Sequence, residues 1–274
     1  MKKLLNVKSF LSILMAVLMI MASNSCQKDD DEDDAPELPP VEALLMDFSD
    51  FENVPGEKKA LQSYENFGYA VMNVGFWNLF AQVLVAVPCV AYAEAFNHEA
   101  VYLGDNSWKW SYSVTANQVT YSAELISKRI SNEEFTLKML VSQSGGFQDF
   151  KWFEGTVRYD HTAANWTLFQ EPLNPVPVIN ITWAMDYETD LYTIKYTDVL
   201  ADSEDYGSYI EHGVTDDTPF NAYYNISTTD GTINIEWDKT TKAGSIKAPE
   251  FFEDVNWHCW DENLMDAVCE ELSW

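Results

Sequence analysis

Two patterns of apolar positions divide this chain. From Gly68 to Ala93 no side chain is charged, and apolar residues fall nearly all the way round any helix drawn through them. That predicts one long helix or two short ones, buried on most sides. Asn73, Asn78 and Gln82 interrupt the run, and Pro88 is expected to kink it or end its regular hydrogen bonding. As a membrane span it would leave those amides needing partners in lipid, so packing inside a folded body is the preferred reading. After residue 107 the period changes to two. Trp108, Trp110, Tyr112 and Val114 alternate with polar neighbours, then Val119 to Leu125, then Phe135, Leu137, Met139 and Val141. The series continues through Phe153, Gly155, Val157 and Tyr159, then Trp166 and Leu168, Ile179 to Met185, and Tyr192 to Tyr196. Phe220 to Ile226 pairs with Ile233 to Trp237 across Thr228-Thr229-Asp230-Gly231, an Asp-Gly hairpin signal.

About ten one-sided strands joined by turns, with no helix between them, imply an antiparallel meander. One apolar face on every strand forces the sheet to close on itself or be covered. The expected fold is therefore mainly β: a strongly curved sheet or incomplete barrel around the buried N-terminal helix. A β-sandwich without the helix inside is the second reading. Asp261 to Leu272 reads as a short C-terminal helix with Asp261 near its cap.

The N-terminus has a different logic. Lys2, Lys3 and Lys8 precede the apolar run Phe10 to Met21 and the small residues Ala22-Ser23-Asn24-Ser25, the layout of a secretory signal peptide over residues 1–25. Cys26 directly after them resembles a bacterial lipoprotein signal, in which the Cys is acylated and becomes the new N-terminus. Ser23 departs from the pattern, which usually has an apolar residue there. Gln27-Lys28 and the six acids Asp29 to Asp34 resemble the export tag of Bacteroidetes surface lipoproteins. That resemblance implies the outer face of the outer membrane. The same acids also read as a solvated tether, and Ala35 to Pro40, with three prolines, as a stiff spacer. The expected organisation is signal 1–25, lipidated Cys and tether 26–42, and a single helix-plus-meander domain 43–274.

The segments WKWSYSV (108–114), FKWFEGTVRY (150–159), NWTLFQEP (165–172) and INITWAMD (179–186) are similar to the Trp-rich hairpins of Bacteroidetes outer-membrane lipoproteins. The resemblance spans most of 100–240 and implies location and anchoring; it transfers no catalytic residue.

Charge narrows the partners. With 44 acidic against 16 basic side chains the formal net charge is −28, which leaves no basic surplus for nucleic acid or anionic lipid. Residues 43–274 carry 12 basic and 36 acidic residues, or −24. Setting Cys26 aside leaves Cys89, Cys259 and Cys269, of which Cys259 and Cys269 are the preferred disulfide pair. His258 adjoins Cys259 without a second ligand pair, and His98-Glu99 begins a zinc-protease motif that no second His completes, so no metal site is assigned. His161 and His212 read as isolated surface histidines. Acids cluster at Asp186, Glu188 and Asp190 and at Asp202, Glu204 and Asp205, where a calcium loop would lack its terminal Glu. No nucleophile elbow, Ser-x-x-Lys or phosphate loop occurs. No catalytic residue and no cofactor are therefore assigned. Trp152 and Tyr223, on less apolar faces, are the candidates for stacking on a ligand. The expected role is non-enzymatic: a surface-anchored binding, carrier or assembly protein for a glycan, an apolar ligand or an envelope protein. A hydrolase of a glycan or ester using acidic residues is the alternative.

Overall fold

A computed structural model describes residues 34–52, 64–116, 119–170 and 172–271; the signal, Cys26 and most of the acidic tag lie outside them. The body is mainly β. Fourteen strands run in sequence order: β1 (Val101–Gly104), β2 (Ser107–Ala116), β3 (Val119–Arg129), β4 (Glu134–Gln143), β5 (Phe150–Arg158), β6 (Ala163–Gln170), β7 (Val176–Asp186), β8 (Leu191–Asp198), β9 (Tyr209–Val214), β10 (Ala222–Thr228), β11 (Gly231–Trp237), β12 (Gly244–Lys247), β13 (His258–Trp260) and β14 (Asp266–Ala267). Each pairs antiparallel with its neighbour, so the sheet is one unbroken meander whose outer edges, β1 and β14, remain unjoined. The two-residue turn of the β10–β11 hairpin is Thr229-Asp230, with Gly231 already paired to Thr228.

Among the described residues two α-helices precede the sheet, α1 (Glu65–Leu84) and α2 (Ala86–Ala95). The break falls at Val85, three residues before Pro88. That places Pro88 in the first turn of α2, where a missing N–H costs least. α1 meets β12, β13 and β14, while α2 meets β2 and β3, so the helix pair bridges the two ends of the sheet. This contact requires the meander to curl until its ends approach each other.

What fills the curl differs from the sequence expectation. The inside of the central strands is occupied by residues 43–51, where Leu44, Met46, Phe48 and Phe51 are all buried. Phe51 lies edge-on to Trp237 of β11 at 4.9 Å and stacks on Phe67 of α1 at 5.6 Å. α1 is buried on one face only, through Phe67, Ala70, Val74, Trp77 and Ala81. Residues 35–42, expected as free spacer, lie on the body instead. The Tyr92 hydroxyl donates to the Pro39 carbonyl at 2.6 Å, and His161 Nε2 lies 3.0 Å from the Glu37 carbonyl. Proline-rich extended backbone makes no internal hydrogen bonds, which leaves its carbonyls free to accept from side chains.

The expected C-terminal helix over Asp261 to Leu272 is replaced by the β13–β14 hairpin and one 3₁₀ turn, Cys269–Glu271. Asp261 turns the chain by accepting from the backbone N–H of Asn263 and of Met265, both at 2.9 Å, with Leu264 at φ 66°. Asp266 accepts from the N–H groups of Glu65 and Asn66 at 3.1 and 3.0 Å. It caps α1 from the far end of the chain, satisfying donors that α1 cannot satisfy itself.

Tyr196 ties the inner segment to the sheet. Fully buried on β8, its hydroxyl accepts from the Met46 N–H at 2.7 Å and donates to the Leu44 carbonyl at 2.8 Å. Tyr196→Phe keeps the ring and orphans one buried donor and one buried acceptor. It is expected to cost about 1–3 kcal/mol, read as a lower denaturant midpoint with unchanged slope.

Candidate functional site

Among the described residues the exposed large apolar side chains lie mostly outside the central strands, on the helix pair, on β1 and after residue 250. Among the described residues nineteen large apolar side chains are exposed, and only four of them fall between residues 107 and 247. Those four, Ile130, Leu173, Tyr187 and Tyr206, all sit outside the strands, at turns. Among the described residues, strands β2 to β12 thus carry no exposed large apolar side chain, whereas the edge strand β1 exposes Val101, Tyr102 and Leu103. On α1, by contrast, Met72, Phe76, Leu79 and Val83 are 60–69% exposed, and Val90 on α2 is 70% exposed. Their spacing of four, three and four residues along α1 puts them on one face, opposite the buried row. Leu45, on the inner segment, and Phe96, just after α2, add to the apolar exposure.

The polar groups of α1 are used internally. Asn73 Nδ2 donates to the Tyr69 carbonyl of its own helix at 2.8 Å. Gln82 Nε2 donates to Asn78 Oδ1 at 3.1 Å, and Asn78 Nδ2 donates to Glu52 Oε1 at 3.2 Å. Beside this chain of amides an open groove of about 520 Å³ runs between α1 and the inner segment, lined in part by Glu42, Leu45, Glu52 and Ala81. Among the described residues no single helix is long and apolar enough to cross a membrane; α1 and α2 satisfy length and composition only as a pair bent by 58°.

The residues singled out from sequence are dispersed. Trp152 is the extra residue of a bulge in β5, packs against the core and lies 6.3 Å from Phe150. Tyr223 is on β10, five strands away, with its ring over Gly213 and its hydroxyl donating to Glu211 at 3.2 Å. Burial and Glu211 push its phenol up to about 12. The two rings form no common platform, and a polar recess on the outer face, lined by Lys128, Lys138, Glu154 and Thr167, carries no aromatic ring. Cys259 and Cys269 are joined by a disulfide, while Cys89 is free and buried, its thiol pushed up to about 12 by desolvation. The acids at 186–190 and 202–205 are all exposed, Asp186 at the end of β7 and the others in turns. Among the described residues no three His, Cys, Asp or Glu side chains converge to hold a metal. Cys26 lies outside the described residues.

His212 corrects the sequence reading. It is not a surface residue but 2% exposed on the inner face of β9. Its strand, Tyr-Ile-Glu-His-Gly-Val, hides the period because a histidine takes an inward position. The missed neighbours include Asp50, which accepts from Trp237 Nε1 at 2.8 Å and from Lys242 Nζ at 2.6 Å.

No family model matches the chain, and comparisons with curated proteins and with solved structures find no match.

Proposed function

We propose that the chain is a lipid-anchored protein of the outer membrane, facing outward, with a binding or assembly role rather than a catalytic one. The supporting sequence features are the signal layout ending at Cys26 and the acidic tag behind it. The observation that carries the non-enzymatic part is the uncovered apolar face of α1 and α2. Contiguous exposed apolar surface of this kind marks an interaction site. Because Leu44, Met46, Phe48 and Phe51 occupy the inside of the curl, the geometry favours binding at the surface over carriage of a ligand within.

Growth with an alkyne-tagged palmitate tests the anchoring. The wild-type chain is expected to incorporate the tag and partition with outer membranes. Cys26→Ala is expected to lose the tag entirely and move to the soluble fraction. Added protease is expected to cleave the wild type on intact cells; cleavage only after lysis would overturn the outward placement, and an untagged wild type would overturn the anchor.

A further inference from the structure

We infer that the Cys259–Cys269 disulfide is a redox-operated clasp on α1. Oxidised, it holds the C-terminal hairpin against the first turn of α1; reduced, it frees that turn while the central sheet stays folded.

The hairpin is weak without the bridge. Among the described residues β14 joins β13 through only two residue pairs, Cys259 with Ala267 and Trp260 with Asp266. β14 is also an unjoined edge of the sheet, so its ladder has one side only. Its flanking side chains Met265 and Val268 are exposed and add little burial. A short two-stranded hairpin of this kind is marginal in water. The disulfide closes the ten-residue span between Cys259 and Cys269, which removes the open conformations that compete with the hairpin.

The start of α1 depends on that hairpin. Its own N-cap, Tyr64, supplies no side-chain bond to the first turn. The N–H groups of Glu65 and Asn66 donate instead to Asp266 Oδ2 and Oδ1, and a negative charge suits a helix N-terminus. Asn66 Nδ2 donates to the Cys259 carbonyl at 2.8 Å, and Phe67 meets Trp260 edge-on at 5.5 Å. Both strands of the hairpin therefore hold one helical turn. The sulfur bridge begins on Cys259, a residue that itself makes one of these bonds.

The two sulfurs are unequally placed. Cys259 is 3% exposed, while Cys269 is partly exposed on the terminal 3₁₀ turn. A dithiol reductant reaches the Cys269 sulfur first. Its thiolate attacks there, the S–S bond breaks, and Cys259 leaves as a thiolate that takes up a proton. The second thiol of the reductant then resolves the mixed disulfide and frees Cys269 as a thiol. Two electrons and two protons pass from the dithiol, which ends as a disulfide. Cys89, free and buried, takes no part.

Hydrogen exchange on the full chain tests the clasp, read by mass spectrometry of peptic fragments before and after dithiothreitol. Reduction is expected to speed exchange about tenfold at residues 65–68 and 258–268, the scale of a lost cap and a freed hairpin. Strands β2 to β11 are expected to keep their protection. Alkylation mapped on the same fragments is expected to mark Cys259 and Cys269 only after reduction, and Cys89 in neither state. Cys259→Ser combined with Cys269→Ser is expected to show the reduced pattern without reductant and no response to it. Asp266→Ala, with the disulfide intact, is expected to free residues 65–66 while 258–268 stay protected. Unchanged exchange at 65–68 after reduction overturns the inference, as does a bridge that dithiothreitol leaves intact in the native protein. Loosening throughout the sheet also overturns it, in favour of a staple for the whole fold. These three outcomes are read on the wild type, so they decide the matter even where the double variant fails to fold.

Discussion

Gly155→Val is expected to destabilise the fold by about 3 kcal/mol or more, near the upper end for overpacking a core. Gly155 faces inward on β5 directly opposite Trp166 of β6. A Cβ there would stand 2.3 Å from Trp166 Cε3 and 2.4 Å from the Asn165 carbonyl oxygen. The indole has nowhere to retreat. It is fully buried, its Nε1–H donates to the Ala43 carbonyl at 2.9 Å, and it meets Phe153 edge-on at 5.6 Å. Moving it would break the hold on the inner segment as well as the β5–β6 packing. Gly75 is the internal control: nothing lies within 4 Å of its Cβ position on α1. Gly75→Ala is expected to be neutral or stabilising by up to about 1 kcal/mol, since alanine is the better helix former. Urea titrations of the two variants against wild type check both. Equal midpoints for Gly155→Val and wild type would show that the strand shifts to admit a side chain.

Gly155 also shows why the sheet was readable. It sits in register with Phe153 and Val157 in the alternating pattern, and the gap left by its missing side chain is filled by a tryptophan one strand away. Where inward positions were large and apolar, as at Phe135, Leu137, Met139 and Val141, the period of two named the buried face. Where an inward position was polar, the signal vanished. β9 escaped notice because His212 follows Ile210 inward, and β13 and β14 because three- and two-residue strands are too short for a period. The helix pair failed for the opposite reason. Both faces of α1 are apolar, so sequence could not say that one packs on the sheet while Met72, Phe76, Leu79 and Val83 look outward. That asymmetry, on which the proposed site depends, is set by what α1 packs against and not by its own sequence. Likewise Asp266, a capping group for α1 about 200 residues away, lies beyond any local pattern.

Lowering the pH from 6.5 to 4 is expected to remove about 3 kcal/mol of stability through His212 alone. Its Nδ1 lies 2.9 Å from the Tyr223 carbonyl, which can only accept, so Nδ1 carries the hydrogen. Nε2, 3.0 Å from the Tyr192 hydroxyl, then accepts, and the ring is a satisfied neutral imidazole. It stacks on Trp237 at 5.6 Å and lies 4.7 Å from Tyr224. Burial among these rings brings its pKa down to about 4, against the opposing pull of its hydrogen bond to the Tyr223 carbonyl; Lys239 adds to the lowering, and Asp47 and Asp50 oppose it. The ordinary value near 6.5 applies to the unfolded chain. Between those two pH values the unfolded state therefore binds a proton that the folded state refuses. The stability is complete above pH 6.5, declines as pH falls towards 4, and changes no further through this group below that. Depressed carboxylates act lower. Asp160, held down by its hydrogen bond from Arg158, and Asp186, by the Glu188 N–H, begin to withdraw their contribution only near the ordinary aspartate value. Unfolding free energies at pH 7, 5.5 and 4 separate the effects when wild type is set against His212→Gln. The variant is expected to be weaker at pH 7 through its lost ring packing, yet to show a shallower decline to pH 4. Parallel curves would place the acid sensitivity elsewhere in the protein.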